Sequence, residues 1–148
     1  MANSVCQVLL TAAPLLVPAK SASSEMGAIV DFWGIVRETE VGAKIIGIDY
    51  EAHREMAQHQ LELVAEEARE KFQLTQIIIQ HRLGFVPVGE SSLLVQVGSR
   101  HRAAAFQASA SVVEELKRRA PIWKHPILEQ GAPPLRPTQE PAVIPSPA

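Results

Sequence analysis

The amino-acid sequence predicts an α+β domain with a mainly antiparallel sheet and two principal helices. Three observations carry that expectation. Runs rich in β-branched and aromatic residues recur at 5–10, 28–36, 44–50, 75–81 and 91–97. Two longer segments, 51–72 and 102–119, change to a spacing of three and four between apolar residues. The length, 148 residues, allows a single core and one domain, with strands grouped around two helices rather than alternating with many.

Taken in order, residues 5–10 form a short strand. The apolar stretch from Val5 to Val17 has the look of a signal-peptide core, but Met1-Ala2-Asn3-Ser4 carries no basic residue, and Pro14 and Pro18 interrupt the run. It is also shorter than the roughly 20 apolar residues that span a bilayer. It therefore reads as a strand followed by a short irregular segment, and a soluble, cytoplasmic protein is expected. Residues 28–36 (AIVDFWGIV) and 44–50 (KIIGIDY) are two strands joined by a polar, exposed turn at 38–42. In the first helix Ala57, Leu61, Val64, Ala68 and Phe72 make one apolar stripe, and Glu62, Glu66, Glu67 and Glu70 take the wet side. Residues 86–90 combine proline and glycine, a turn signal between two strands. The second helix is expected to bury Phe106, Ala110, Val113 and Leu116, and Pro121 ends it because a residue preceding proline is pushed out of the α region. Residues 122–128 form a last strand. The domain spans 1–130; from Gly131 onward prolines crowd a segment with few apolar anchors, and residues 131–148 are expected to be disordered.

Charge narrows the function. The formal net charge is −2, which argues against bulk binding to nucleic acid. Yet residues 82–125 gather Arg82, Arg100, Arg102, Lys117, Arg118, Arg119 and Lys124 against only Glu90, Glu114 and Glu115, a distribution that suits either a solvated basic face or a small anionic ligand. Cys6 is the only cysteine, so no intramolecular disulfide forms, and no basic or histidine neighbour in sequence activates it. The five histidines include no pair at helical metal-ligand spacing, and neither a metal nor a cofactor is expected.

Four places offer anion chemistry. At the start of the second helix, unpaired backbone N–H groups and the positive end of the helix dipole meet Arg100, His101 and Arg102. Lys117 continues the apolar stripe set by Phe106 and Ala110, so it is either partly desolvated and chemically usable or snorkels its ammonium to water. Lys124 lies in the last strand. Arg37 closes a strand just beyond Gly34, a position for a phosphate clamp or for an ordinary exposed arginine.

The segments GAIVDFWGIVR (27–37), HRLGFVPVGE (81–90), SRHRAAAF (99–106) and LKRRAPIWK (116–124) resemble the large, catalytic subunit family of molybdopterin synthase, in the family's order and approximate spacing. The resemblance covers roughly residues 5–130 and implies an α/β hammerhead-type α+β domain. It implies sulfur transfer from the C-terminal thiocarboxylate of a small ubiquitin-like subunit to cyclic pyranopterin monophosphate (precursor Z), giving the dithiolene of molybdopterin in molybdenum cofactor biosynthesis. It also implies a heterotetramer, with a homodimer of large subunits at its centre and a small subunit at each end. By position it makes Lys117 and Lys124 the catalytic lysines, which also contact substrate, and makes Arg37, His101 and Arg102 the pterin-phosphate contacts. All five are expected to converge on one pocket.

Two departures accompany the resemblance. The family often carries an acidic residue two places after the second lysine, where this chain reads Lys124-His125-Pro126, and His125 is the expected substitute. The proline-rich tail offers only Arg136 as a basic group. A fold that keeps its partner groove but has lost catalysis is the alternative reading, to which the retained lysines and the His101-Arg102 pair are opposed.

Overall fold

The computed structural model describes residues 5–18 and 23–129. The expected disorder of 131–148 lies outside these residues. Ten elements follow in order: β1 (Val5–Thr11), β2 (Ala28–Ile35), β3 (Thr39–Glu40), β4 (Ala43–Ala52), α1 (Arg54–Phe72), β5 (Gln76–Arg82), β6 (Gly84–Pro87), β7 (Ser91–Ser99), α2 (Arg102–Arg119) and β8 (Ile122–Leu128). This is the α+β architecture expected, with the strands divided between two sheets.

The main sheet has the order β1-β5-β7-β2. β1 runs parallel to β5, whereas β5–β7 and β7–β2 are antiparallel. β5 and β7 are buried at almost every position. Burial on both faces explains why each carries an unbroken apolar run, at 77–79 and 93–95, rather than strict alternation. α1 packs against β1 and β5, α2 against β7 and β2, and the two helices touch each other. Leu61, Val64, Ala65 and Ala68 of α1 thus meet Ile77, Ile79, Val95 and Val97 of the sheet in a single core. Two buried glutamines on the central strands are linked: Gln76 Nε2 donates to Gln96 Oε1, and Gln96 Nε2 donates to Asp31 Oδ1 at 2.9 Å.

The second sheet is built on β4, which pairs antiparallel with β3, β6 and β8. Here local reading fell short in three ways. The 38–42 turn contains β3, a two-residue strand closed by Val41 and Gly42 at φ 50° and 75°. The proline of 86–90 belongs to β6, because pairing with residues 47–50 of β4 holds Gly84–Pro87 extended; the turn itself is made at Gly89, φ 89°. Cross-strand bonding to β8 likewise keeps β4 extended to Ala52, so α1 begins at Arg54, with His53 as its cap: its Nδ1 accepts from the Met56 N–H at 3.3 Å.

α2 corrects another expectation. Its buried residues are Ala105, Ala108, Ser109, Val112 and Leu116; of the expected stripe only Leu116 is among them. Phe106 is 61% exposed and Ala110 is also exposed. The helix carries two apolar stripes about a quarter-turn apart, and the one with small residues faces the sheet because it allows close approach. None of the described helices is long and apolar enough to cross a membrane.

Gly47 marks the tightest point of the second sheet. A Cβ built there would lie 2.5 Å from the Phe85 ring and 2.6 Å from the Val86 carbonyl oxygen. Gly47→Ala is expected to destabilise the fold by about 1–3 kcal/mol in denaturant unfolding. Adding Phe85→Ala should recover only part of that loss, because the backbone clash remains.

Candidate functional site

β8 alternates. Ile122, Lys124 and Pro126 are buried, while Trp123, His125 and Ile127 are partly exposed on the other side. The period-two geometry of a strand fixes that split. Lys124, opposite Tyr50 of β4, is only 3% exposed, and its Nζ lies 2.8 Å from Oε1 of Glu40 at the end of β3. Glu40 itself is 10% exposed in its side chain. A buried ammonium is tolerated only with such a partner, because desolvation otherwise outweighs everything it gains. Glu40 Oε2 is buried and, among the described residues, lacks a hydrogen-bond partner.

Other polar groups lie close by. Burial pushes the Tyr50 hydroxyl up to about 12, a hydrogen bond with Ser92 opposes the shift, and the Glu40 charge adds to it. The Tyr50 ring meets His81 edge-on, with centroids 5.1 Å apart. His81 is fully buried, and its Nδ1 lies 2.8 Å from the Arg82 carbonyl oxygen. Sequence reading missed Glu40 and Tyr50. Glu40 looks like one more acid in a polar turn, and only the hairpin register brings it under Lys124 across 84 positions of chain.

His125 behaves differently from expectation. It faces away from Lys124 and places Nε2 3.2 Å from Glu51 Oε1. It therefore does not occupy the place of an acid beside the lysine.

The remaining residues fall at two ends of the main sheet. β2 pairs Ala28 with Ser99 at one end and Ile35 with Ser91 at the other. Arg37, exposed, follows the second end and precedes Glu40 by three residues. α2 starts just after Ser99 and returns along β7 and β2, so half-buried Lys117 is carried back toward the Arg37 end. His101 and Arg102, both exposed, stay at the start. Arg102 and Lys117 are then about 22 Å apart along the helix axis, beyond the joint reach of their side chains. Arg37 follows β2 at the end toward which α2 carries Lys117, and Lys124 pairs with Glu40, three residues after Arg37; His101 and Arg102 stay at the other end of α2. The expected convergence of all five within one chain fails on the length of α2.

The start of α2 has the openness expected of it. His101 is its N-cap yet makes no side-chain cap bond, and Ser99 Oγ donates to the His101 carbonyl instead. Arg100 pairs with Glu25 at 3.5 Å.

The surroundings of Cys6 disfavour its thiolate. Burial, a hydrogen bond to Glu66 and that carboxylate's charge push its thiol up to about 11, and Arg69 only partly offsets them. At pH 7 about one molecule in ten thousand carries the thiolate. Alkylation of Cys6 in the folded protein should accelerate about tenfold per pH unit up to about pH 11. A rate that levels off near pH 8.5, the ordinary thiol value, would contradict the shift.

Residues 10–119 match the family model described as MoaE protein. A molybdopterin synthase catalytic subunit from Pyrococcus abyssi is 41% identical over 109 residues, 74% of each chain. The crystal structure of molybdopterin synthase from Staphylococcus aureus superposes with a TM-score of 0.70 at 34% identity, covering 77% of this chain and 83% of that one. A complex of subunits 1 and 2 of a molybdopterin-converting factor from Helicobacter pylori holds a chain similar at TM-score 0.65 and 23% identity, over 81% of this chain and 77% of that one. That last likeness is one of fold alone.

Proposed function

The chain belongs to the MoaE family, and from that premise we propose that it is the catalytic subunit of a molybdopterin synthase, acting in the cytoplasm in molybdenum cofactor biosynthesis. It transfers sulfur from the C-terminal thiocarboxylate of a small ubiquitin-like subunit to cyclic pyranopterin monophosphate. The observation that carries this reading is the buried, carboxylate-paired Lys124, whose partner Glu40 lies three residues after Arg37. The one cysteine of the chain has its thiol pushed up by burial, which favours a donor from outside. A thiocarboxylate tail supplies one.

In this mechanism the phosphate of the pterin is gripped by Arg37, His101 and Arg102. The thiocarboxylate sulfur attacks a side-chain carbon of the pterin, forming a C–S bond as a C–O bond of that carbon breaks. Water then hydrolyses the resulting thioester, releasing the partner's C-terminus as a carboxylate and leaving the sulfur on the pterin. Lys117 and Lys124 neutralise the oxyanions that develop, and one of them handles the proton needed to open the cyclic phosphate. Cations preplaced in a water-poor pocket are worth far more than the same charges in solvent.

A second copy of the chain completes the site. Since Arg102 and Lys117 cannot meet within one molecule, the homodimer brings the α2 start of one copy to the Lys117 end of the other. The exposed Phe106 and Ala110, with half-buried Val113 beside them, run between the two ends and are suited to that contact. Ala110 stands close to the midpoint of the helix segment from Arg102 to Lys117, so two α2 helices packed antiparallel about it set these residues face to face. An isologous contact of this kind makes both sites at once. The two cationic ends repel each other until an anion lies between them, which fits a phosphorylated substrate.

Reconstitution with thiocarboxylated small subunit and the cyclic pterin tests the reading. Wild-type protein is expected to form the dithiolene. Lys117→Ala should lower turnover by about a hundredfold or more while leaving the fold and partner binding intact. Normal conversion by Lys117→Ala would remove that lysine from the mechanism, and an inert wild type would overturn the assignment itself.

A further inference from the structure

We propose that Glu40 is the positioning residue for Lys124, fixing its ammonium at the reacting end of the fold from a hairpin rather than from the lysine's own strand. This rests on the sulfur-transfer reading above and extends it to a residue that reading does not use.

Three features of the geometry carry it. Lysine has a flexible four-carbon stem, and a buried one needs an anchor if its charge is to stand in one place. Glu40 Oε1, at 2.8 Å from Nζ, is that anchor. The strand itself supplies none: Pro126, the next residue on the buried side of β8, has no polar side chain, and His125 turns outward to Glu51. Finally, the pair is incomplete. Oε2 is buried with no hydrogen-bond partner among the described residues. Glu40 therefore grips the lysine from one side and keeps an open acceptor beside it.

The hairpin geometry makes this arrangement possible. β3 has only two residues, Val41 and Gly42 turn the chain at positive φ, and Glu40 is paired with Ala43 of β4. Its side chain consequently reaches under the strand that carries Tyr50, the cross-strand neighbour of Lys124.

The test uses Glu40→Gln in the complete synthase, with thiocarboxylated small subunit and cyclic pterin. The expected result is a fall in kcat of about 10- to 100-fold with KM changed less than about threefold, since the lysine acts on the transition state and phosphate binding is left alone. Melting temperature and small-subunit affinity report whether the fold survives. Glu40→Gln should cause no further loss when added to Lys124→Gln, because it acts through that lysine. A carboxylate placed on β8 by Pro126→Glu should restore most of the lost kcat to Glu40→Gln. If Glu40→Gln alone does not fold, the Glu40→Gln/Pro126→Glu double variant decides: folded and active supports the proposal, folded and inactive overturns it. Wild-type kcat in Glu40→Gln, or an equal loss in the Lys124→Gln background, also overturns it while leaving the sulfur-transfer reading in place. A wild type that forms no dithiolene brings both down.

Discussion

β7 runs through the middle of the main sheet and turns at Ser99 into α2, which comes back along it. That single reversal sets the distance between the two groups of cations. α2 cannot bend to shorten it, because Ala105, Ala108, Val112 and Leu116 seat the helix on the sheet along its length. The basic segment that looks like one patch in sequence is therefore split by a rigid rod. His101 and Arg102 mark its beginning, and Lys117 marks its end. Any chemistry that needs all of them at one substrate has to be performed by more than one molecule.

The second sheet solves a different problem, that of holding a charge in a dry place. β4 is its hub: β3 brings Glu40, β8 brings Lys124, and Tyr50 lies on the strand between them. Pairing distributes the cost of burial between two groups that neither helix supplies. The arrangement also explains why the sheet is separate from the main one. A two-residue strand such as β3 contributes little to stability, but it delivers one carboxylate to a defined position.

Much of the fold was legible in the sequence. Both helices, and the strands from β1 to β8 that have clear β composition, follow from periodicity and from turn signals such as Gly89. The failures are physical ones. β6 hides behind Pro87, and β3 behind a polar turn, because only cross-strand bonds make them strands. The buried side of α2 was misread because two apolar stripes compete on it, and the choice depends on how closely Ala105 and Ala108 let the helix approach the sheet. The candidate site divides in the same way. Residue identity together with family resemblance pointed to Arg37, Lys117 and Lys124, of which Lys124 is buried against Glu40, three residues after Arg37. No local pattern reveals that Glu40 meets Lys124, whereas the opposite facing of His125 and the helix length between Arg102 and Lys117 follow from strand period and helix rise once β8 and α2 are placed. The first is a fact of register, which is not written in a motif.

The division of one site between two copies is open to a direct test by subunit mixing. Lys117→Ala and Arg102→Ala homodimers are prepared separately, dissociated together and allowed to reassociate, and dithiolene formation is followed with the thiocarboxylated partner. In a mixed dimer one site carries both substitutions and the other carries neither, so activity should reappear, up to about half of wild type per mixed dimer. If mixing restores nothing although mixed dimers form, each site lies within one chain, and the separation imposed by α2 does not govern the reaction.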